Sequence, residues 1–355
     1  MSDDADPMIV HFNALVHALK SQLLPNTAYE ELLSLSTPER LTESLLSSSY
    51  KKEMAEALTR NHGADAVEDA VQRNRAQQIA MLSRRAQGDF GQLVDIFLAR
   101  LDLGAVKYLV RAKHHGLQEE EITAGGNPGI SISFPQFQDF ARAESMEDLV
   151  TQLIAWNSKL TRPLRAALPA YREKNDPAVL EDALDMHYFS KSARALRSLE
   201  DDNAKALSWY LRVEIDRINL RLIFENFQYG GEKDAVLKRL VPGGTLHMQL
   251  LETIANAPDA AAAMDLLSGT RYQGLGEQLY QFLKSNRFAP VERLFDRLIS
   301  HQLRRLALRD PFGIGVVMDY VWLKFNEGVN LRLIARGLAG SVPMGRVRDE
   351  LFFQN

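Results

Sequence analysis

The chain has 355 residues, of which 46% are hydrophobic and 25% charged, with a formal net charge of -4 and no cysteine. The weakly acidic balance lacks the basic footprint of a nucleic-acid coat, and this composition is that of a packed chain, not of an extensively disordered one. Without cysteine there are no disulfides, thiolate nucleophiles or sulfur-ligated metals, which fits a cytoplasmic setting.

The opening MSDDADPM is acidic where a signal peptide carries its basic region, so no secretory leader is expected. From Ile9 to Leu24, Phe12, Leu15, Val16, Leu19 and Leu23 recur at steps of three and four, which predicts an amphipathic helix stopped by Pro25. Ser36-Thr37-Pro38-Glu39 then reads as a helix cap, with Leu41, Leu45 and Leu46 following. A polar-rich helix is expected over Ala64 to Gln87, with Ala66, Ala70, Ile79 and Leu82 as a thin apolar stripe. A denser one should run from Asp89 to Lys113 and end near His115-Gly116.

The string AGGNPGISISF reads as a loop, with Ile130 to Phe134 extended. Helical spacing resumes from Met146 to Leu168, broken near Pro163, then over Ala178 to Leu199 and Asn203 to Phe227. Further helices are expected at 246–255, 258–268, 275–285, 290–308, 312–338 and 343–353. The most apolar run, Gly313 to Trp322, is too short to span a bilayer and carries Asp319, so membrane association should run through protein partners or a surface face. Sustained period-two alternation is nearly absent, and the fold class is all-α.

A repeat organises these helices. The string NLRLI occurs at Asn219–Ile223 and again at Asn330–Ile334, an offset of 111 residues, with Asp216 and Glu327 three positions upstream. The same offset pairs Glu181 with Glu292 and Asp185 with Asp296. A diverged third copy places Asp102, Ala105 and Lys107 at the acidic, Asn and Arg positions. Leu45–Tyr50 (LLSSSY) echoes Leu266–Tyr272 (LLSGTRY), and the segments 35–39, 143–147 and 257–261 echo one another. Three similar helical-bundle units are therefore expected, at residues 1–122, 123–235 and 236–355. Such units either close around a pseudo-threefold centre or stack as a short solenoid.

Polar groups inside the repeat are the candidate functional residues. On the 211–224 helix, Arg212, Asp216 and Asn219 form one stripe, and Arg212 can reach Asp216 across a turn. A packing network that sets helix register accounts for Asp216, Asn219 and Arg221, and equally for Glu327, Asn330, Arg332 and Arg336. Direct partner contact is the alternative. Arg293, Arg297, Arg304, Arg305 and Arg309 make the 292–310 helix basic, either as solvated surface or as a contact for an acidic partner. Val347 and Leu351 share a face that either closes the core or docks a partner.

Catalytic patterns are missing. Gly274-Leu-Gly276 lacks the third glycine of a dinucleotide fingerprint and a preceding strand, and no Walker string occurs. The eight histidines form no metal-binding spacing; His114 and His115 are adjacent and should diverge, and His187 belongs to a helix interface beside Tyr188 and Phe189. No catalytic residue, cofactor or metal is expected.

Phe12–Leu24, Tyr29–Leu33, Asp216–Arg221, Leu240–Leu246 and Asn330–Gly337 are spread over residues 12–350. Together these stretches resemble the C subunit of bacterial and archaeal V/A-type ATPases, related to the eukaryotic d subunit. Members commonly carry a Tyr where Phe12 stands and an Arg soon after, which Ala14-Leu15 lacks, so no N-terminal charged contact is carried over. The resemblance implies three helical domains forming a pseudo-threefold, funnel-like socket. It would lie at the cytoplasmic face of the membrane, on the proteolipid ring, receive the central-stalk rotor subunits and transmit torque without catalysis. A helical-repeat scaffold for other proteins is the competing expectation.

Overall fold

The structure, a computed structural model, describes residues 7–126, 128–199, 201–285 and 288–353; the acidic opening at residues 1–6 and Asn127 lie outside the described residues. All regular elements among the described residues are helical. The chain divides into two compact units, Met1–Leu184 with Leu306–Asn355, and Asp185–Arg305.

The first unit holds α1 (Pro7–Lys20), α2 (Asn26–Leu33), α3 (Pro38–Leu46), α4 (Lys51–Ala57), α5 (Gly63–Arg85), α6 (Gly88–His114), α7 (Glu119–Gly125), α8 (Phe134–Arg142), α9 (Met146–Thr161), α10 (Pro163–Lys174) and the start of α11 (Ala178–Arg197). The second holds the rest of α11, then α12 (Asp202–Tyr229), α13 (Lys233–Arg239), α14 (Met248–Ala255), α15 (Ala260–Asp265), α16 (Gly276–Ser285) and most of α17 (Ala289–Arg309). The chain returns to the first unit for α18 (Ile314–Ala339) and α19 (Met344–Glu350).

The three echoing segments do the same local job. Thr37, Ser145 and Asp259 are the N-caps of α3, α9 and α15, their side-chain oxygens accepting the N–H of Arg40, Asp148 and Ala262 at 3.4, 3.1 and 2.8 Å. Such a cap contributes about 1 kcal/mol by satisfying an orphan helix donor. Gly230 ends α12 in the left-handed region at φ 73°, a conformation that glycine adopts without steric cost.

Two expectations are corrected. Ile130–Phe134 is not extended throughout: the chain turns at Ile130 and Ser131, and Phe134 opens α8, with the Ser133 hydroxyl accepting the Gln136 N–H and Pro135 in the first turn, a helix-start arrangement. His114 and His115 do not diverge. α6 ends there, and the rings meet edge to face at 5.2 Å, with His114 Nδ1 3.2 Å from the Tyr171 hydroxyl.

α18 is apolar around most of its circumference and is accordingly buried. It packs against α5, where Gly328 leaves room for Val71. The surrounding core includes Tyr29, Leu41, Leu45, Tyr50, Met54 and Val67 with Leu331 and Ile334 of α18. Val347 and Leu351 are buried in the same cluster, so the C-terminal segment closes this core.

Candidate functional site

The acidic and asparagine residues of the repeated helices are buried and fastened to distant backbone in one recurring pattern. On α12, Asn219 Nδ2 donates to the Val241 carbonyl and Oδ1 accepts the Val241 N–H, both at 2.8 Å. On α18, Asn330 makes the same two bonds with Phe352, at 2.7 and 2.8 Å, again 22 residues downstream. A side-chain amide that completes one residue's N–H and C=O replaces a pair of ladder bonds, so it fixes a non-helical segment to the helix as firmly as a strand partner would.

The acidic residue one turn earlier holds the next segment. Asp216 accepts the N–H of Thr245 at 2.9 Å and of Leu246 at 3.1 Å, the Thr245 hydroxyl, and the Tyr272 hydroxyl at 2.8 Å. Glu327 accepts the N–H of Leu24 at 2.6 Å and the Tyr50 hydroxyl at 2.5 Å. Tyr50 and Tyr272 are the closing residues of the two echoing strings, LLSSSY and LLSGTRY. In the diverged copy on α6, Asp102 accepts the N–H groups of Ile130 and Ser131 at 2.7 and 2.8 Å, while Ala105 stands at the Asn position.

These carboxyls sit where water cannot screen them. Burial pushes both Asp216 and Asp102 above the ordinary carboxylate range, against the pull of their hydrogen-bond donors. Beside Glu327, the Lys324 ammonium donates to the carboxylate at 2.8 Å and to the Tyr50 hydroxyl at 2.9 Å; burial depresses its pKa, and Glu327 opposes that. Gly244 is required by close approach, because a Cβ there would overlap Asp216 Oδ1.

A second recurrence is ionic. Lys107 and Arg111 of α6 meet Glu181 at 3.6 and 3.3 Å. Arg221 of α12 meets Glu292 at 3.3 Å, and Arg217 pairs with Glu292 and, at 2.9 Å, with Asp296. Burial lowers the Arg217 pKa, but Asp296, Glu292 and Glu214 outweigh it and hold the guanidinium above its usual range. On α18, Arg332 and Arg336 share Glu68 at 2.9 and 2.8 Å, and Arg332 also donates to the carbonyls of Gly126, at 2.8 Å, and Ala124. Each of the three repeated helices, α6, α12 and α18, thus sends a cation to a glutamate on another long helix.

One expected pairing fails. Arg212 does not bond Asp216: the carboxylate is taken up by donors from Thr245, Leu246 and Tyr272, and the exposed guanidinium turns to the Gly244 carbonyl at 3.1 and 3.2 Å. Arg304 and Arg305 are exposed, with no ion pair among the described residues. The residues that sequence reasoning missed include Leu24, Tyr50, Glu68, Tyr272 and Lys324; the terminal tyrosine shared by the two echoing strings was the available signal for two of them.

These buried carboxylates are engaged by the chain's own donors rather than presented to a substrate, and among the described residues no group of three His, Asp or Glu side chains is placed to hold a metal ion. What the geometry defines is a helical-repeat scaffold whose polar residues fasten its own segments. The ATP synthase (C/AC39) subunit family matches residues 12–350, and the chain belongs to that family. It is similar to the C subunit of the V-type ATP synthase of Thermus thermophilus, 29% identical over 99% of both chains. It is also similar to the A-type ATP synthase C subunit of Methanothermobacter thermautotrophicus, 29% identical over 76% of this chain and 70% of that one, and to its counterpart in Methanococcoides burtonii, 26% identical over 96% and 93%. The C subunit is a non-catalytic accessory subunit, and this chain shares that character. No helix among the described residues is long and apolar enough to cross a membrane.

Proposed function

We propose that this chain is the coupling subunit of a V/A-type ATPase, seated at the cytoplasmic face of the membrane between the proteolipid ring and the central-stalk rotor shaft, and that it carries torque from one to the other. Three helical units, at residues 1–122, 123–235 and 236–355, close around a pseudo-threefold centre as a funnel-like socket. The observation that carries this reading is the recurrence of one buried fastening, acid to backbone N–H with tyrosine and asparagine added in two copies, in a chain of this family.

Mechanically, a torque adaptor must resist shear without chemistry. Interdigitated helices transmit strain because packed interiors compress little, and buried hydrogen-bonded nodes resist sliding of one helix past the next. The Glu327 node adds closure: Leu24 and Tyr50, from the beginning of the chain, fasten to α18 near its end. A load applied near either terminus is then borne by both. Arg304 and Arg305, and Arg336 beside its pairing with Glu68, are the candidates for partner contact, because exposed cations orient an approaching acidic surface.

The test is reconstitution of the parent ATPase with and without this chain. Omission should leave ATP hydrolysis by the catalytic head while abolishing the ion movement coupled to it. Full coupling without the chain would overturn the proposal.

A further inference from the structure

The second unit contains an open groove of about 1130 Å³ between α11, α12 and the turn at Val241-Pro242-Gly243. Its floor includes Leu196, Trp209, Leu211 and Ile215, and its rim carries Arg194, Arg197 and Arg212. Arg194 and Arg197 are exposed and have no ion pair among the described residues, and Arg212 donates only to the Gly244 carbonyl.

The repeat indicates what such a groove receives. At the 111-residue offset (219 to 330), Ser208 on the groove wall corresponds to Asp319 on α18. In the first unit that face of α18 is covered: α1 lies on it, burying Phe12, Val16 and Leu19, with Lys20 bonded to Asp319 and Asn13 Nδ2 donating to the Gly313 carbonyl. In the second unit the chain passes from Val241 to Thr245 through a tight Pro-Gly-Gly turn. The corresponding fastenings of the first unit come from Phe352 and from Leu24, and α1 leads to Leu24. α1 is therefore an added helix on one copy, and the groove is the same seat left open on another.

The charges differ between the two seats. The occupied one offers Asp319 to a cation of its helix, whereas the open one surrounds its apolar floor with arginines. We infer that the groove seats an amphipathic helix of a partner protein, with its apolar face on Trp209 and Ile215 and acidic side chains toward Arg194, Arg197 and Arg212. This inference goes beyond the coupling proposal and does not depend on it.

Because the chain has no cysteine, Ala193→Cys on the exposed groove lining gives a single reporter thiol in the full-length protein. The probes are a synthetic amphipathic helix with a Leu face and a Glu face, its Lys-faced twin, and vesicles of phosphatidylcholine with phosphatidylglycerol. The Glu-faced helix should slow thiol labelling and bind at least about tenfold more tightly than the Lys-faced one, equivalent to about 1.4 kcal/mol. The double variant Arg194→Glu/Arg197→Glu should reverse that preference with its melting temperature unchanged. Equal binding of both helices, or a preference that survives charge reversal, would overturn the inference. So would labelling slowed by vesicles and not by the Glu-faced helix, or slowed by raising the protein concentration alone, which would mark a second copy as the occupant.

Discussion

Replacing Asn219 by Leu separates a structural fastening from a partner contact. Asn219 is fully buried, and its two 2.8 Å bonds satisfy both backbone groups of Val241, itself buried. Leucine has similar bulk but cannot donate or accept, so the Val241 N–H and C=O would be left unsatisfied. Two buried orphans at about 1–3 kcal/mol each cost about 2–6 kcal/mol, and the added apolar burial returns roughly 1–2 kcal/mol. A net loss of about 2.5 kcal/mol follows at the middle of these ranges, which at roughly 2 °C per kcal/mol lowers the melting temperature by about 5 °C. Asn330→Leu should cost a similar amount, because its bonds to Phe352 have nearly the same lengths. Thermal unfolding gives the magnitude, and amide hydrogen exchange at Val241 locates it, with protection lost in Asn219→Leu. An unchanged melting curve together with lost assembly into the ATPase would refute the reasoning and make Asn219 a partner contact.

Tyr50→Phe and Tyr272→Phe each remove one O–H donor from a buried carboxylate, Glu327 or Asp216, and should each cost about 1.5–3 kcal/mol in denaturant titration; no loss in either would remove the tyrosine from its node. Burial raises the Asp216 pKa above its ordinary 3.8, so the folded state holds this proton more tightly than the unfolded chain does. Its contribution is therefore fully present below the ordinary value and lost as pH rises through the raised one. The stability of wild type relative to Asp216→Asn should fall across that window, and a difference that rises with pH would contradict the assignment. The double change Arg304→Glu/Arg305→Glu touches exposed side chains and should leave stability within about 0.5 kcal/mol. Assembly of that variant with the other ATPase subunits should weaken, most of all at low salt; a large fall in melting temperature with normal assembly would make the two arginines structural.

The long helices were legible because periodicity accumulates over many turns: α5, α6, α11, α12, α17 and α18 lie close to their expected bounds. Short ones such as α4, α7 and α13 span seven residues each, too few turns for a repeat of 3.6 to stand out. The NLRLI repeat marked Asn219 and Asn330 as a matched pair before their partners were known. Those partners were less visible. Tyr50 and Leu24 meet Glu327 across 277 and 303 residues of sequence, and no local spacing encodes such a bond. Local spacing also misled at Arg212, which lies one turn from Asp216 but loses it to donors arriving from Thr245 and Tyr272.

The open groove and the exposed arginines of α17 are the surfaces proposed for partner contact, whereas the buried nodes belong to the chain's own architecture. A map of the intact native ATPase, with this chain located in it by a label near Gly230, bears on both. The chain should lie between the proteolipid ring and the rotor shaft, touching each. A particle in which it contacts neither ring nor shaft would contradict the coupling role directly.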